Sequence, residues 1–165
     1  MQKAPIPIND QARVCAVQGL NLLDTASEER FDHFTREAIN KFSVPISTIT
    51  LVDKDREWFK SVQGLNTREG PRDISFCGHA LMSETFLIIE DTLADPRFVD
   101  NPMVKGEPFI RFYAGKSLYD QASHLPVGVF CIKDRQPRKM NVSEISDFLD
   151  LAHQVEEEVN KKVAE

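Results

Sequence analysis

Apolar positions recur at helical spacing near the start of the chain, where Val14, Val17 and Leu20 follow Asn9 and Asp10, either of which can cap a helix. Pro5 and Pro7 keep residues 1–8 out of that helix, as an arm. Phe31, Phe34, Ala38, Ile39 and Phe42 line one face of a second helix. Its predicted start is Ser27-Glu28-Glu29, a hydroxyl cap with acidic residues in the first turn, and its end is Pro45. The pattern then changes. Ile46–Val52 is rich in β-branched residues, and Arg56–Gln63 follows after only Asp53-Lys54-Asp55, which predicts an antiparallel hairpin. Residues 75–83 read as a short helix capped by Asp73 or Ser75, and residues 86–90 as a third strand. Residues 95–105, punctuated by Pro96, Pro102 and Gly106, read as irregular or short helix. Residues 109–118 and 127–133 give two more strands, and a last helix runs from about Ser143 to about Lys162.

Hairpins without steady strand–helix alternation give an α+β fold with a mainly antiparallel sheet. A chain of 165 residues buries roughly 68–70% of its unfolded surface, enough for one core, so residues 9–165 read as a single domain. Eleven Phe and regular Val, Ile and Leu usage exclude disorder. The longest apolar runs resemble Phe86-Leu87-Ile88-Ile89, far short of the ~20 residues of a membrane span. The start, Met1-Gln2-Lys3-Ala4-Pro5, has no apolar segment behind a basic end, so the expected location is cytoplasmic. Net charge is −6, and seven acidic against two basic residues from Val142 onward account for −5 of it. No basic stripe remains for nucleic acid, which is not an expected partner.

Several stretches, read together, resemble the GAF domains of bacterial signalling proteins, the type found ahead of diguanylate cyclase or histidine kinase modules. They are Leu23-Asp24-Thr25 with Glu28-Glu29-Arg30-Phe31-Asp32, Leu51 to Lys60 around Trp58-Phe59, and Arg72 to Ala80 around Phe76-Cys77-Gly78-His79. Asp95-Pro96-Arg97-Phe98 leading into Ile110 to Gly115, and Gly128 to Asp134 with Pro137-Arg138, complete the order from about residue 10 to 155. The resemblance implies a central antiparallel sheet of about six strands with helices on both faces. It implies a small-molecule pocket between the sheet and the 75–83 and 95–105 segments, with the first and last helices on the opposite face. One departure is Lys116-Ser117-Leu118 and the Gly-free loop 119–126, expected to border the pocket, so a relative's ligand is not transferred.

Candidate chemistry is sparse. Cys77, in the first turn of a short helix, is placed where free N–H groups favour a thiolate. His79 lies about 200° away around the helix, which disfavours a Cys–His pair. Cys131 shares a strand side with Val127 and Val129, and the family reading brings it close to Cys77. Arg111 and Tyr113 are expected on one strand face with Phe109, a guanidinium fork and a ring that fit an anionic planar ligand. The alternative for Arg111 is an ion pair to Asp95, Asp100 or Glu107. Phe76 and Phe98 complete the expected ligand contacts. Cys15, Cys77 and Cys131 are expected to be reduced thiols, and their spacing gives no four-ligand zinc set. Gly78 separates Cys77 from His79, so no bilin attachment is expected, and no cofactor is assigned.

The expected function is a non-catalytic sensory domain that binds a small ligand and signals through its terminal helices, on a partner in trans or as a piece of something longer. Two alternatives stand beside it: a thiol reductase of the free methionine sulfoxide reductase type using Cys77 and Cys131, and a dimerisation module without a ligand. Ile145, Phe148, Leu149, Ala152, Val155, Val159 and Val163 form one apolar stripe. Val159 and Val163 are expected to lie beyond the reach of the domain's own sheet, which predicts a homodimer through both terminal helices.

Overall fold

The hairpin predicted from residues 46–63 organises the sheet. In the computed structural model, which describes residues 1–162, β1 (Ile46–Val52) and β2 (Arg56–Gln63) pair antiparallel across the Asp53-Lys54-Asp55 turn. Their register shifts between Ile49 and Thr50. The shift is a bulge that turns both Lys60 and Ser61 to the same side. There Lys60 Nζ donates to Ala26 O at 2.6 Å, and Ser61 Oγ donates to Asp32 Oδ1 at 2.6 Å. β3 (Glu69–Pro71) flanks β2, while β4 (Leu87–Ile89), β5 (Phe112–Tyr119) and β6 (Pro126–Asp134) extend the sheet from β1. The order is β3-β2-β1-β6-β5-β4, antiparallel throughout. The six-stranded α+β architecture agrees with the sequence reading. β3 was not foreseen, because Glu-Gly-Pro carries no strand signal and its proline is tolerated only at an edge.

Helices cover both faces. α1 (Asp10–Gly19), α2 (Glu29–Phe42) and α5 (Val142–Asn160) pack on one, over a core that includes Phe31, Phe42, Ile49, Trp58, Phe130 and Phe148. α3 (Phe76–Ala80), a 3-10 turn (Thr92–Ala94) and α4 (Pro102–Lys105) lie on the other. Trp58 and Phe59 are consecutive strand residues, so Trp58 joins the helical core and Phe59 faces the α3 side. Among the described residues no helix is long and apolar enough to cross a membrane.

Four expectations need correction. α2 begins at Glu29 with Glu28 at the cap position and no side-chain cap, and the Ser27 hydroxyl, one residue earlier, accepts from Arg68. It ends at Phe42, ahead of Pro45, where Ser43 turns left-handed at φ 53°. β5 begins at Phe112, not at residue 109: Phe109 has φ 56° and bonds Gly106 O, and Ile110 N bonds Met103 O, which ties residues 109 and 110 to the irregular segment. Val159 does not project beyond the domain, being 3% exposed against the chain's own core. That removes its support for a dimer, and Val163 lies outside the described residues. α5 also starts with a capping box that sequence reading did not identify, Asn141 and Glu144 each bonding the other's backbone N–H.

Candidate functional site

On the α3 side of the sheet, strand alternation sets out polar groups where the opposite side sets out Ile, Leu and Phe. β1 contributes Thr48 and Thr50, β6 contributes Cys131 and Lys133, β5 contributes Tyr113, Gly115 and Ser117, and β2 contributes Glu57 and Phe59. Every one of these residues is buried. α3 is laid across them by its cap: Ser75 Oγ accepts from Gly78 N at 2.9 Å and donates to Arg72 O at 2.6 Å. The N-terminal arm holds α3 from outside. Ala4 N donates to Asp73 O at 2.9 Å, His79 Nε2 lies 3.2 Å from Gln2 O, and a Cβ on Gly78 would meet the Ala4 side chain at 2.6 Å.

A file of hydroxyls and thiols runs beneath α3. Tyr113 Oη donates to Cys77 Sγ at 3.3 Å, and Cys77 Sγ lies 3.7 Å from Thr50 Oγ1. Thr50 bonds Thr48 at 2.7 Å, and Thr48 bonds Cys131 Sγ at 2.9 Å. The Tyr113 ring lies over Gly115, where a Cβ would come 2.3 Å from its Oη, so the position requires glycine. Phe76 stacks between Phe98 and Tyr113, with centroids 4.5 and 5.2 Å away. Of the expected site residues, Phe76, Cys77, Phe98, Tyr113 and Cys131 therefore come together, all fully buried. Open grooves lie elsewhere, one of about 990 Å³ between the ends of α1 and α5 and one of about 350 Å³ beside the arm.

Arg111 is not part of the assembly. It precedes β5, is half-buried, and pairs with Asp91 at 3.2 Å, a carboxylate absent from the three expected partners. Nor does the 119–126 loop border the site. α5 holds it, through Glu156 Oε1 on Tyr119 N at 2.7 Å and Asn160 Nδ2 on Tyr119 O at 2.9 Å. Glu57 and Lys133 were missed. A charged residue inside each apolar strand, at even spacing from Phe59 and from Cys131, was the signal that could have found them.

Burial dominates the electrostatics. It pushes the Glu57 carboxyl up to about 8, against the pull of the Lys133 charge. It also raises the Cys77 thiol and the Tyr113 phenol well above their ordinary values. Desolvation thus works against a Cys77 thiolate, and a five-residue helix offers little to offset it. Cys131 is the opposite case. Burial raises it too, but the Cys77 hydrogen bond, the Lys133 charge and the Thr48 hydroxyl together leave it lowered. All three cysteines are free, Cys15 exposed and the other two buried. His79 points to the arm and Cys77 to Tyr113, so the two form no pair. Among the described residues no three His, Cys, Asp or Glu side chains gather as a metal site.

No family model matches the chain. A cyclic di-GMP phosphodiesterase of Pseudomonas aeruginosa is 40% identical over 138 residues, which cover 84% of this chain and 23% of that protein. The chain thus spans under a quarter of that relative's length. In fold it is similar to the GAF domain of an Acinetobacter phosphoenolpyruvate-protein phosphotransferase, with TM-score 0.62 and 15% identity over 90% of this chain and 92% of that one. A free methionine-R-sulfoxide reductase from Neisseria meningitidis, solved with its substrate, also has TM-score 0.62, at 16% identity over 97% and 98% of the two chains.

Proposed function

We propose that this chain, whose fold is that of GAF domains, is a sensory domain that binds a small molecule between its sheet and α3. The observation that carries the reading is the buried file from Tyr113 to Cys131. Polar groups inside a protein cost stability unless each is partnered, and the opposite face of the same sheet builds its core with few of them. Phe76, Cys77, Phe98 and Tyr113 are the proposed ligand contacts, and Arg111 is not among them. β5 and β6, which carry Tyr113 and Cys131, also contact α5 and α1, which gives a route from ligand to terminal helices. The relative in which this region makes up 23% of the chain suggests an output in cyclic di-GMP turnover, joined to the domain or acted on in trans.

A cytoplasmic homodimer through α1 and α5 belongs to the same reading. Its support is now Ala16, Leu20 and Leu149, half-buried on those helices, and sedimentation of the chain tests it. For the ligand, native mass spectrometry of protein purified from its own host is the direct experiment. Added mass that leaves on denaturation is expected. Bare chain mass, with no thermal response to a metabolite panel, overturns the reading.

A second reading rests on the thiols of Cys77 and Cys131, linked through Thr50 and Thr48. As a reductase of free methionine sulfoxide, the two thiols would become a disulfide while the sulfoxide oxygen leaves as water. Both sulfurs are fully buried, which counts against it. Turnover of methionine sulfoxide with a dithiol reductant, lost in both Cys77→Ser and Cys131→Ser, would support it.

A further inference from the structure

β6 lies between β1 and β5, and Cys131 faces α3 from the middle of it, opposite Thr48 on one neighbour and Gly115 on the other. The Cys77 sulfur reaches the same ground from α3. Toward β1 it lies 3.7 Å from Thr50 Oγ1, which bonds Thr48, and Thr48 in turn bonds Cys131 Sγ at 2.9 Å. Toward β5 it accepts the Tyr113 hydroxyl at 3.3 Å, and that oxygen lies 2.3 Å from the place a Gly115 Cβ would take. These fixes come from both sides of β6 and set the Cys77 sulfur over the row that holds Cys131. Each sulfur also bears on the other's proton, through charge and a hydrogen bond. Cys15 does not compete, being exposed on α1 across the sheet.

We propose that Cys77 and Cys131 are a redox pair whose disulfide fastens α3 to β6 and closes the α3 side. The inference rests on the reading that this side binds a small molecule, and it names a regulation of that site that needs no turnover of a sulfoxide. The oxidant is hydrogen peroxide. The Cys131 sulfur, as thiolate, attacks one peroxide oxygen and breaks the O–O bond. The other oxygen leaves with the thiol proton as water, and a sulfenic acid remains on Cys131. The Cys77 sulfur then displaces the hydroxyl, which leaves with the Cys77 proton as a second water. The two thiols give up two electrons, and the peroxide takes them. Surroundings assign the roles. Burial disfavours both thiolates, but the Cys77 hydrogen bond, the Lys133 charge and the Thr48 hydroxyl favour that of Cys131, while Cys77 keeps its proton. Both sulfurs are buried, so peroxide enters as α3 lifts. Five helical residues, the Ser75 cap and the arm's bonds at Asp73 and His79 are all that this opening breaks. A bond from Cys77 to a central strand ends it.

The test treats the native full chain with hydrogen peroxide, alkylates the remaining thiols and maps the peptides by mass. The expected product has the Cys77 and Cys131 peptides joined, lighter by two hydrogens, with Cys15 alkylated and the thiols restored by dithiothreitol. Amide exchange over residues 76–80 is expected to slow roughly tenfold or more in the oxidised chain, and its melting temperature to rise. Cys77→Ser is expected to leave a sulfenic acid on Cys131 that dimedone traps, and Cys131→Ser to leave Cys77 unoxidised. The map of the unaltered chain decides alone should either variant fail to fold. Buried thiols that stay reduced, a crosslink through Cys15, or one that forms only in urea overturns the pair. A crosslink with unchanged exchange over residues 76–80 overturns the closing of α3. The ligand reading fails separately: an empty host-purified protein overturns it, and the crosslink is still read by mass alone.

Discussion

Lys60 on β2 and Lys133 on β6 are both buried, one on each face of the same sheet. Lys60 Nζ donates to Thr25 Oγ1 at 2.7 Å and Ala26 O at 2.6 Å, and it pairs with Glu28 Oε2 at 2.7 Å. Its three donors are used, and the Phe31 ring lies 5.6 Å away. Lys133 has rings beside it and no acceptor. The carboxylates divide in the same way. Arg30 and Lys60 hold Glu28 down at about 2, whereas burial lifts Glu57 to about 8. The helical face is a finished core whose few charges are paired. The α3 face is built from polar groups, some without partners, under a short helix and an arm. A scaffold and a site are thus separated by the thickness of one sheet.

The largest expected effect falls on the scaffold. Phe148 is fully buried and stacks on Phe130 at 5.4 Å, with Phe42 edge-on at 6.1 Å. Phe148→Ala should cost about 3–5 kcal/mol by the loss of burial and the cavity left behind, measured by urea unfolding. Ligand response per folded molecule should not change. A loss below about 1 kcal/mol would mean that this core is not close-packed.

Next come the lysines themselves, where unequal losses are expected. Lys60→Met strips the Thr25 hydroxyl, the Ala26 carbonyl and Glu28 of a charged partner, and should destabilise by about 1.5–3 kcal/mol. Lys133→Met removes a charge that Cys131 and Glu57 favour but breaks no hydrogen bond, and should destabilise by less, about 0.5–1.5 kcal/mol. Equal losses at both positions would erase the distinction between the faces.

The carboxylates sharpen the contrast through pH. Glu57 titrates near 4.5 when unfolded and at about 8 when folded. Its stabilising contribution is therefore complete below 4.5 and is lost as pH rises toward 8, at about 1.4 kcal/mol per pH unit. Glu28 acts in the other window: its contribution is present above 4.5 and is lost as pH falls toward 2. Unfolding free energy measured from pH 4.5 to 8 should slope downward, and Glu57→Gln should flatten it. An unchanged slope in that variant would remove Glu57 from the account.

Much of the scaffold was legible because it depends on patterns that sequence displays. β1 and β2 lie where β-branched runs meet a charged three-residue turn, and α2 buries the predicted phenylalanines. Less of the site was legible. The left-handed turn at Phe109 has no sequence marker, and it takes Arg111 out of the strand register that would have set it beside Tyr113. Glu57 and Lys133 lie next to or near the ends of their strands, where a charged residue carries no sign of burial, and only the packing of the α3 side covers them. The Ser27 hydroxyl accepts from Arg68, 41 residues away, a contact that no local pattern displays.

The smallest effect concerns how the site opens. Cys15 is exposed on α1, while Cys77 and Cys131 are buried beneath α3. A thiol reagent at neutral pH should therefore label Cys15 at once. Labelling of the other two requires α3 to lift. That motion breaks few contacts: five helical residues, the Ser75 cap, and the arm's bonds from Ala4 N to Asp73 O and from Gln2 O to His79. Short elements held this way open locally at less than the global unfolding free energy. Removing residues 1–4 takes away these two bonds, together with those from Gln2 N to Arg97 O and from the Met1 ammonium to Asp100; at about 0.5–1.5 kcal/mol for each of the first two, it should speed labelling of Cys77 and Cys131 roughly 5- to 100-fold. Cys15 labelling should stay unchanged, as should the urea midpoint within about 0.5 kcal/mol of stability, since the helical-face core is untouched. If the buried thiols label at the intact rate in the shortened chain, the arm does not hold α3, and the two faces open together.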